Sequence, residues 1–209
     1  MLTPVSLVVD VPTLMTVRAE APYRSVQEVI AAAKAKPGRL TYGSGGVGSS
    51  NHLTGALFAS AAGIRLEHVS YRGAAPAVTA LLSGEIDMAF ASTVEVLPHL
   101  RAGRVRVLGV ATPRRVPELP DIPAIAEILP GYSALNWYAM AAPRGLPPPI
   151  LARMMETLAA LRNLPEIRSR FAAVSAEPLL TGPRELAALL DQDVPKWQRV
   201  VAEAGIHVE

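Results

Sequence analysis

The sequence has no cysteine, few aromatic residues and no long apolar run. Without cysteine among its 209 residues, the chain has no disulfide framework, no thiolate zinc site and no cysteine nucleophile. Aromatic residues make up 5%, too few to predict stacking platforms for single-stranded nucleic acid. No stretch approaches the roughly 18 to 20 uninterrupted apolar residues of a membrane-spanning helix. The hydrophobic fraction of 50% excludes a long disordered chain and predicts one or two folded domains.

Charge is also scarce, because charged residues make up 18% of the chain and the net charge is +2. A nucleic-acid interface normally shows a larger basic face than the one local arginine cluster here, so we predict no nucleic-acid partner and interpret these arginines as solvated charges. The cluster consists of Arg101, Arg104, Arg106, Arg114 and Arg115.

The four histidines do not form the i, i+4 pair with an acidic neighbour that a zinc site on a helix requires. They are His52, His68, His99 and His207. We therefore predict neither a metal site nor a cofactor.

The N-terminus, as written, has no basic residue before its apolar run, since the first is Arg18. A secretory signal peptide begins with a basic region. We therefore expect that the chain as given has no signal peptide.

Strand and helix patterns alternate over the first half of the chain. Short apolar runs predict strands, and each is followed by a segment of about ten residues that predicts a helix. The strands are expected at 5–11, 14–17, 40–42, 66–70, 86–91 and 105–111. This alternation is typical of βαβ units, so we predict an α/β fold with a mostly parallel sheet covered by helices on both faces. A proline-rich loop and an extended segment at 133–142 follow, and then come helices at 149–161, 165–173 and 183–204.

The glycine-rich loop Gly43–His52 is the best candidate for a binding site. It joins a strand end to a helix start, where free N–H groups and the helix dipole attract a carboxylate or a phosphate. No Lys-Ser/Thr pair follows the glycines, so it is not a Walker loop. Gly43–Gly48 matches G-x-G-x-x-G, but no acidic residue follows at the distance that dinucleotide binding requires. A tight turn with close strand–helix packing remains an alternative.

Two further strand ends carry candidate groups. Tyr71–Ala75 lies between a strand and a helix, and neighbouring loops of this kind meet at the carboxyl edge of a parallel sheet. Arg72 in that loop pairs with an anion or is a solvated charge. Ser92 ends the next strand, and its spacing from Glu95 favours a helix capping box.

Catalytic groups are few. His68 lies inside an apolar strand and is interpreted as a core histidine, whereas Asp87 is either a turn anchor or a ligand contact. The pattern around Ser49 is not the G-x-S-x-G of a nucleophile elbow. No linked set of nucleophile, base and orienting group is present, so we predict no catalytic residues.

An ordered set of motifs resembles the Bug solute receptors, the periplasmic binding proteins of tripartite tricarboxylate transporters. The segment Tyr42–Leu53 is similar to their glycine loop, Val69–Ala77 to V-P-Y-[KR]-G-x-x-P-A and Gly84–Met88 to G-x-[VI]-D. Leu119–Pro123 and Trp197–Ile206 fit as well, so that the resemblance extends over essentially the whole chain.

The resemblance implies a non-enzymatic receptor of the type II periplasmic-binding-protein kind, which holds a small di- or tricarboxylate between two α/β lobes and works with membrane transporter subunits. It implies a periplasmic location, residues 1–142 as the second, ligand-binding lobe, and residues 143–209 as a helical segment returning to an incomplete first lobe. The implied ligand-binding residues are Ser44, Gly45, Gly46, Gly48, Ser49, Ser50, His52, Tyr71, Gly73, Ala74 and Ser92. Many relatives carry an acidic residue just before the Ser92 position, where this chain has Ala91.

The resemblance also predicts that this is an N-terminally truncated member, because a full receptor begins with a signal peptide and a first lobe. In that case the C-terminal helices are expected to expose apolar surface. The main alternative is a nucleotide- or phosphate-using α/β enzyme with Gly43–Gly48 as its anion site. An effector-binding lobe of a regulator and a remnant that binds nothing well are two others.

Overall fold

A computed structural model of the chain describes residues 2–207, and these contain the predicted alternation of strands and helices. The strands are β1 Leu2–Asp10, β2 Thr13–Arg18, β3 Thr41–Ser44, β4 Glu67–Ser70, β5 Met88–Ser92, β6 Val105–Val110, β7 Trp137–Pro143 and β8 Glu177–Pro178. The helices are α1 Val26–Ala35, α2 Ser50–Ala62, α3 Ala74–Ser83, α4 Thr93–Arg101, α5 Pro148–Arg162, α6 Pro165–Ala172 and α7 Pro183–Glu203. A 3₁₀ turn, Ile125–Glu127, follows β6.

The chain divides into two compact units. The first unit contains the residues up to Val11 together with Asn136–Gln198, and the second contains Pro12–Leu135 together with the residues from Arg199 onward. The division into lobes at 1–142 and 143–209 stays a prediction from the resemblance. Strand β7 lies with the first unit because it pairs along most of its length with β1.

The second unit is built on a five-stranded sheet with the order β4-β3-β5-β2-β6. Strand β3 is parallel to β4 and β5, whereas β2 is antiparallel to β5 and β6. Four strands therefore run in one direction and β2 runs against them, which makes the sheet mixed but rich in parallel strands, as expected. Because β2 is reversed, its first residue lies at the edge where the other four strands end.

Local sequence explains where the key helix begins and ends. The hydroxyl of Ser49 accepts a hydrogen bond from the N–H of His52, which caps α2, and Gly63 ends the helix in the left-handed conformation with φ 60°. The aromatic rings of Phe58 and Phe90 pack between α2 and the sheet at 5.7 Å between centroids. The start of α2 is thus fixed both by its cap and by the core beneath it.

The arginine cluster is partly structural rather than simply solvated. Arg106 donates to the carbonyl oxygens of Ala19, Ala21 and Tyr23 at 2.7–3.3 Å and so holds the loop after β2. Arg115 forms an ion pair with Glu127 at 2.8 Å.

The first unit contains an antiparallel sheet with the order β7-β1-β8. Its core joins Val5 and Ala142 of the sheet to Leu158 of α5. Helix α5 buries Leu158 alone and α6 buries no residue. None of the helices within residues 2–207 combines the length and the apolar character needed to cross a bilayer.

Asp10 occupies the end of β1, next to the point where the chain leaves the first unit. It accepts a hydrogen bond from the N–H of Asn136 at 3.0 Å. Asp193 lies nearby and is buried, and it accepts from the indole N–H of Trp137 at 2.7 Å and pairs with Lys196 at 2.5 Å. Burial, together with the charges of Glu177 and Asp193, raises the pKa of Asp10 to about 6 in spite of the bond from Asn136.

Candidate functional site

The carboxyl edge of the five-stranded sheet, where β3, β4, β5 and β6 end, brings the predicted loops together. Ser44 at the end of β3 is in register with Ser70 at the end of β4. Ser92 at the end of β5 is in register with Thr13, the first residue of β2. Crevices beyond the carboxyl ends of parallel strands are where α/β proteins bind ligands, and all the predicted ligand-binding residues lie along or next to this edge.

The loops after β3 and β4 touch each other through their backbones. The N–H of Tyr71 donates to the carbonyl of Ser44 at 3.0 Å, and the N–H of Gly73 donates to the carbonyl of Gly45 at 3.2 Å. A Cβ atom on Gly45 would lie 3.0 Å from the nitrogen of Ala74 and 3.1 Å from the carbonyl carbon of Gly73. Only glycine fits at position 45 without moving the neighbouring backbone, so the two loops form one surface.

The hydroxyl groups of the glycine loop already have hydrogen-bond partners in the protein. Ser44 is fully buried, accepts from the N–H of Gly46 at 3.2 Å and donates to the carbonyl of the same residue at 3.1 Å. Ser49 donates to that carbonyl at 2.7 Å and caps α2. Ser50 is exposed, and its hydroxyl lies 3.3 Å from the side-chain oxygen of Asn51. The groups that this loop leaves without a partner inside it are therefore mainly backbone N–H groups.

Those N–H groups come from the first turn of α2. The first N–H groups of any helix have no acceptor inside it, and the cap residue Ser49 takes only that of His52. The N–H groups of Ser50 and Asn51 remain at the positive end of the helix dipole. This arrangement of N–H groups is one that favours an anionic oxygen.

Helix α3 adds a second N-terminus at the same edge of the sheet, next to the glycine loop. Its cap residue is Gly73, which has φ 116° and forms no side-chain cap. The N–H groups of Ala74 and Ala75 therefore begin a helix with no hydroxyl placed against them. The contact of Gly45 with the backbone of residues 73 and 74 places this terminus next to the glycine loop.

Ser92 does not form the capping box that its spacing from Glu95 suggested. Instead of accepting from the backbone, its hydroxyl donates to the carboxylate of Glu95, and no side-chain cap is present on α4. The prediction was wrong because Glu95 turns toward Ser92 rather than the backbone N–H. The N-terminus of α4 thus carries its own carboxylate, unlike those of α2 and α3.

A stacked pair of histidines lies against the glycine loop. The rings of His52 on α2 and His68 on β4 are parallel within 7°, with 3.6 Å between their centroids. Nδ1 of His52 accepts from the N–H of Gly48 at 3.1 Å, and Nε2 of His68 lies 2.7 Å from the hydroxyl of Ser44. Burial lowers the pKa of His52, and burial together with the neighbouring imidazole lowers the pKa of His68 to about 4.

Tyr71 directs its hydroxyl away from the carboxyl edge. Its hydroxyl donates to Glu85 at 2.7 Å, and Glu85 precedes β5 at the opposite end of that strand. Desolvation and the carboxylate of Glu85 raise the pKa of Tyr71 to about 12. The ring of Tyr71 lies over Gly43, where a Cβ atom would approach it to 3.3 Å. The ring of Tyr71 thus packs against the loop, and its contact with a ligand stays a prediction.

The sequence missed His68 and Glu95 as partners of site residues. His68 was interpreted as a core histidine, and its contact with Ser44 follows from the β3–β4 register, which sequence periodicity does not reveal. Within residues 2–207, no group of three or more His, Asp or Glu side chains is placed to hold a metal ion. In the described part of the chain, no carboxylate is hydrogen-bonded to His68, the partner of Ser44. Chemically the edge offers N–H donors for an anion.

Comparison with known proteins identifies the family and the fold. The family described as "Tripartite tricarboxylate transporter family receptor" matches residues 1–206. A UPF0065 protein from the tcbD–tcbE intergenic region of Pseudomonas sp. strain P51 is 34% identical over 202 residues, which cover 96% of this chain and 60% of that protein. Protein BugT of Bordetella pertussis is 30% identical over 205 residues, covering 98% and 63%. The chain thus spans about 60% of the length of these relatives.

Two solved structures are similar to the chain over nearly all of its length. R. palustris Rpa4515 with adipate has a TM-score of 0.88 and 32% identity, with coverage of 98% of this chain and 69% of that one. MatC (Rpa3494) from Rhodopseudomonas palustris with bound malate has a TM-score of 0.83 and 28% identity, with coverage of 96% and 69%. The fold is therefore that of these binding proteins, as the motifs predicted.

Proposed function

The chain belongs to the tripartite tricarboxylate transporter receptor family, and from that membership we propose that it binds a small organic anion, a di- or tricarboxylate, at the carboxyl edge of its five-stranded sheet. The observation that carries the proposal is that the N-termini of α2 and α3 both open from loops at the carboxyl edge that contact each other through Gly45 and Gly73. The side-chain cap of α2 takes the N–H of His52, and α3 has no side-chain cap. Two relatives of similar fold hold adipate and malate, which are dicarboxylates.

In this proposal the N–H groups of Ser50 and Asn51 on α2 and those of Ala74 and Ala75 on α3 hold one carboxylate. Ser44, Gly45, Gly46, Gly48 and Ser49 shape the loop that presents them, and Gly73 gives α3 its open start. Binding by backbone N–H groups requires no ionisable side chain, in keeping with the scarcity of catalytic groups at this edge. Ser92 holds the carboxylate of Glu95 at the N-terminus of α4. We therefore expect this terminus to bind a hydrogen-bond donor of the ligand and not a second carboxylate.

We propose that the protein acts in the periplasm as a solute receptor for the membrane subunits of a tripartite tricarboxylate-type transporter. Family membership favours this function over a nucleotide- or phosphate-using enzyme at Gly43–Gly48. A receptor of this kind binds its solute without chemical change. The Ser44–His68 contact at the carboxyl edge has no hydrogen-bonded carboxylate among residues 2–207 to orient the imidazole.

The direct test removes one N–H donor without changing a side chain's charge. Ser50→Pro deletes the N–H at the first position of α2, where proline fits a helix well and where the extended backbone of Ser49, with ψ 157°, suits a following proline. Ser50→Ala is the matched control, because it removes the hydroxyl and keeps the N–H. Isothermal titration with adipate and malate measures both variants against the wild type.

We expect Ser50→Ala to bind like the wild type and Ser50→Pro to bind roughly 10- to 100-fold more weakly, because a hydrogen bond to a charged group contributes about 1.5–3 kcal/mol. Equal loss in both variants would assign binding to the hydroxyl instead of the N–H. If the wild type shows no heat of binding with any di- or tricarboxylate, the proposed function is wrong for this chain.

A further inference from the structure

The hydrogen bond from Gly48 to His52 sets the protonation state that the glycine loop requires. Nδ1 of His52 accepts from the N–H of Gly48 at 3.1 Å, and an imidazole nitrogen accepts only when it carries no proton. His52 is therefore neutral, with its hydrogen on Nε2. Its exposed fraction is 6%, so water does not readily replace it as the partner of Gly48.

The second histidine holds the other end of the same loop. Nε2 of His68 lies 2.7 Å from the hydroxyl of Ser44, and that hydroxyl also contacts the N–H and the carbonyl of Gly46. The stacked rings, 3.6 Å apart, connect these two anchors. Together they fix Ser44, Gly46 and Gly48, the residues directly before the helix terminus that offers its N–H groups.

We propose that His52 and His68 are positioning residues for the glycine loop, and that a proton on Nδ1 of His52 releases Gly48 and weakens anion binding. This rests on the proposed function, since it concerns the same site. Protonation turns the acceptor at Nδ1 into a donor that faces another donor, and the loop must then rearrange. His52 was predicted to touch the ligand, whereas this proposal has it act through the backbone of Gly48.

The surroundings of the pair leave the imidazoles without a counter-charge. The titratable groups that face them are the two rings themselves and Tyr42 on β3, whose ring lies 6.2 Å from His52 and 5.0 Å from His68. Burial raises the pKa of Tyr42, which keeps it neutral. Glu67 precedes His68 on β4, and alternation along a strand directs it to the opposite face. Among residues 2–207 no hydrogen bond or ion pair joins either imidazole to a carboxylate, so nothing offsets a second positive charge in the stack.

The variants separate two effects of His52, which are its hydrogen bond from Gly48 and its protonation. His52→Asn places an amide oxygen near the position of Nδ1, so it keeps an acceptor for Gly48 but binds no proton. His52→Ala removes the acceptor at every pH. His99→Asn is the matched control, because His99 lies on α4 and contacts Arg104 instead of the loop. Adipate is the probe, and titrations run between pH 8 and pH 5.

We expect the wild type and His99→Asn to lose affinity relative to His52→Asn by about tenfold between pH 8 and pH 5, the effect of about one hydrogen bond. Comparison at equal pH cancels the protonation of adipate itself. His52→Ala should bind weakly throughout. A ratio of wild-type to His52→Asn affinity that does not change with pH overturns the proposal, as does wild-type affinity in a folded His52→Ala protein.

A ligand-free measurement keeps this proposal distinct from the proposed function. The ¹H–¹⁵N signal of Gly48 should shift with the titration of His52 in the wild type and in His99→Asn, and it should not shift in His52→Asn. If the wild type binds no adipate at pH 8, the proposed function fails, while the signal of Gly48 still decides whether His52 positions the loop. A Gly48 signal that is independent of pH in the wild type refutes the positioning role.

Discussion

Asp10 gives the sharpest prediction for the first unit, because its carboxyl group pays an ionisation penalty in the folded state. Its pKa rises from 3.8 to about 6, with burial as the main cause and the charges of Glu177 and Asp193 adding to it. The folded state therefore binds this proton more tightly than the unfolded state. The stabilising contribution is fully present below pH 4 and is lost as the pH rises through about 6.

The size of this contribution to the free energy of unfolding follows from the rise of the pKa of Asp10 from 3.8 to about 6. Each pKa unit corresponds to about 1.4 kcal/mol, which sets an upper limit of about 3 kcal/mol. Solvent screening around the half-buried side chain reduces the expected effect to about 2 kcal/mol. Asp10→Asn cannot ionise and retains an oxygen for the N–H of Asn136. We expect the variant to be more stable than the wild type by about 2 kcal/mol at pH 8, with little difference at pH 4.

Tryptophan fluorescence during urea unfolding measures the stability of the first unit, which contains Asp10. The chain has two tryptophans, Trp137 and Trp197, and both belong to the first unit. Asp191→Asn on the exposed face of α7 is the matched control. A variant Asp10→Asn that is no more stable than the wild type at pH 8 refutes the reasoning. So does a stability difference that stays constant from pH 4 to pH 8, since that would reflect a change of packing instead of a titration.

Two further predictions concern the second unit. Gly45→Ala should destabilise it by about 1–3 kcal/mol, the usual cost of overpacking, because the new Cβ atom meets the backbone of Gly73 and Ala74 at 3.0–3.1 Å. Circular dichroism in urea measures the loss of stability, and unchanged stability contradicts the prediction. His68, with its pKa lowered to about 4, should reduce the stability of this unit by about 1–2 kcal/mol as the pH falls from 6.5 toward 4, after a discount for its partial exposure. Hydrogen exchange of β3 and β4 measures this loss, and an equal loss in His68→Gln would assign it to another group.

Sequence patterns predicted the elements that position the site because those elements depend on neighbours in the chain. The cap at Ser49 and the left-handed Gly63 mark the ends of α2, and both are residue types that act on the adjacent backbone. The glycine loop is recognisable for the same reason, since its residues form a continuous run. Local chemistry of this kind requires no knowledge of which strand lies beside which.

Contacts between distant residues could not be predicted in this way. The bond between Ser44 and His68 joins residues 24 positions apart, and it exists only because β3 and β4 pair in parallel with that register. The direction of β2 also depends on the sheet as a whole. At Ser92 the local pattern was correct in spacing, but the carboxylate of Glu95 had two possible partners and took the hydroxyl rather than the backbone.

The two units respond to acid in opposite directions for one physical reason. Burial disfavours the charged form of any side chain, and acidification removes the charge of a carboxylate but creates the charge of an imidazole. Asp10 in the first unit is therefore relieved as the pH falls through about 6, whereas His68 in the second unit is strained as the pH falls from 6.5 toward 4. A measurement that averages over the whole chain would combine the two contributions, which have similar size and opposite sign, into a nearly flat profile. Tryptophan fluorescence reports the stability of the first unit alone, and hydrogen exchange of β3 and β4 reports that of the second. The two stability profiles should therefore diverge below pH 6.5. Parallel profiles would mean that neither group titrates as its surroundings dictate.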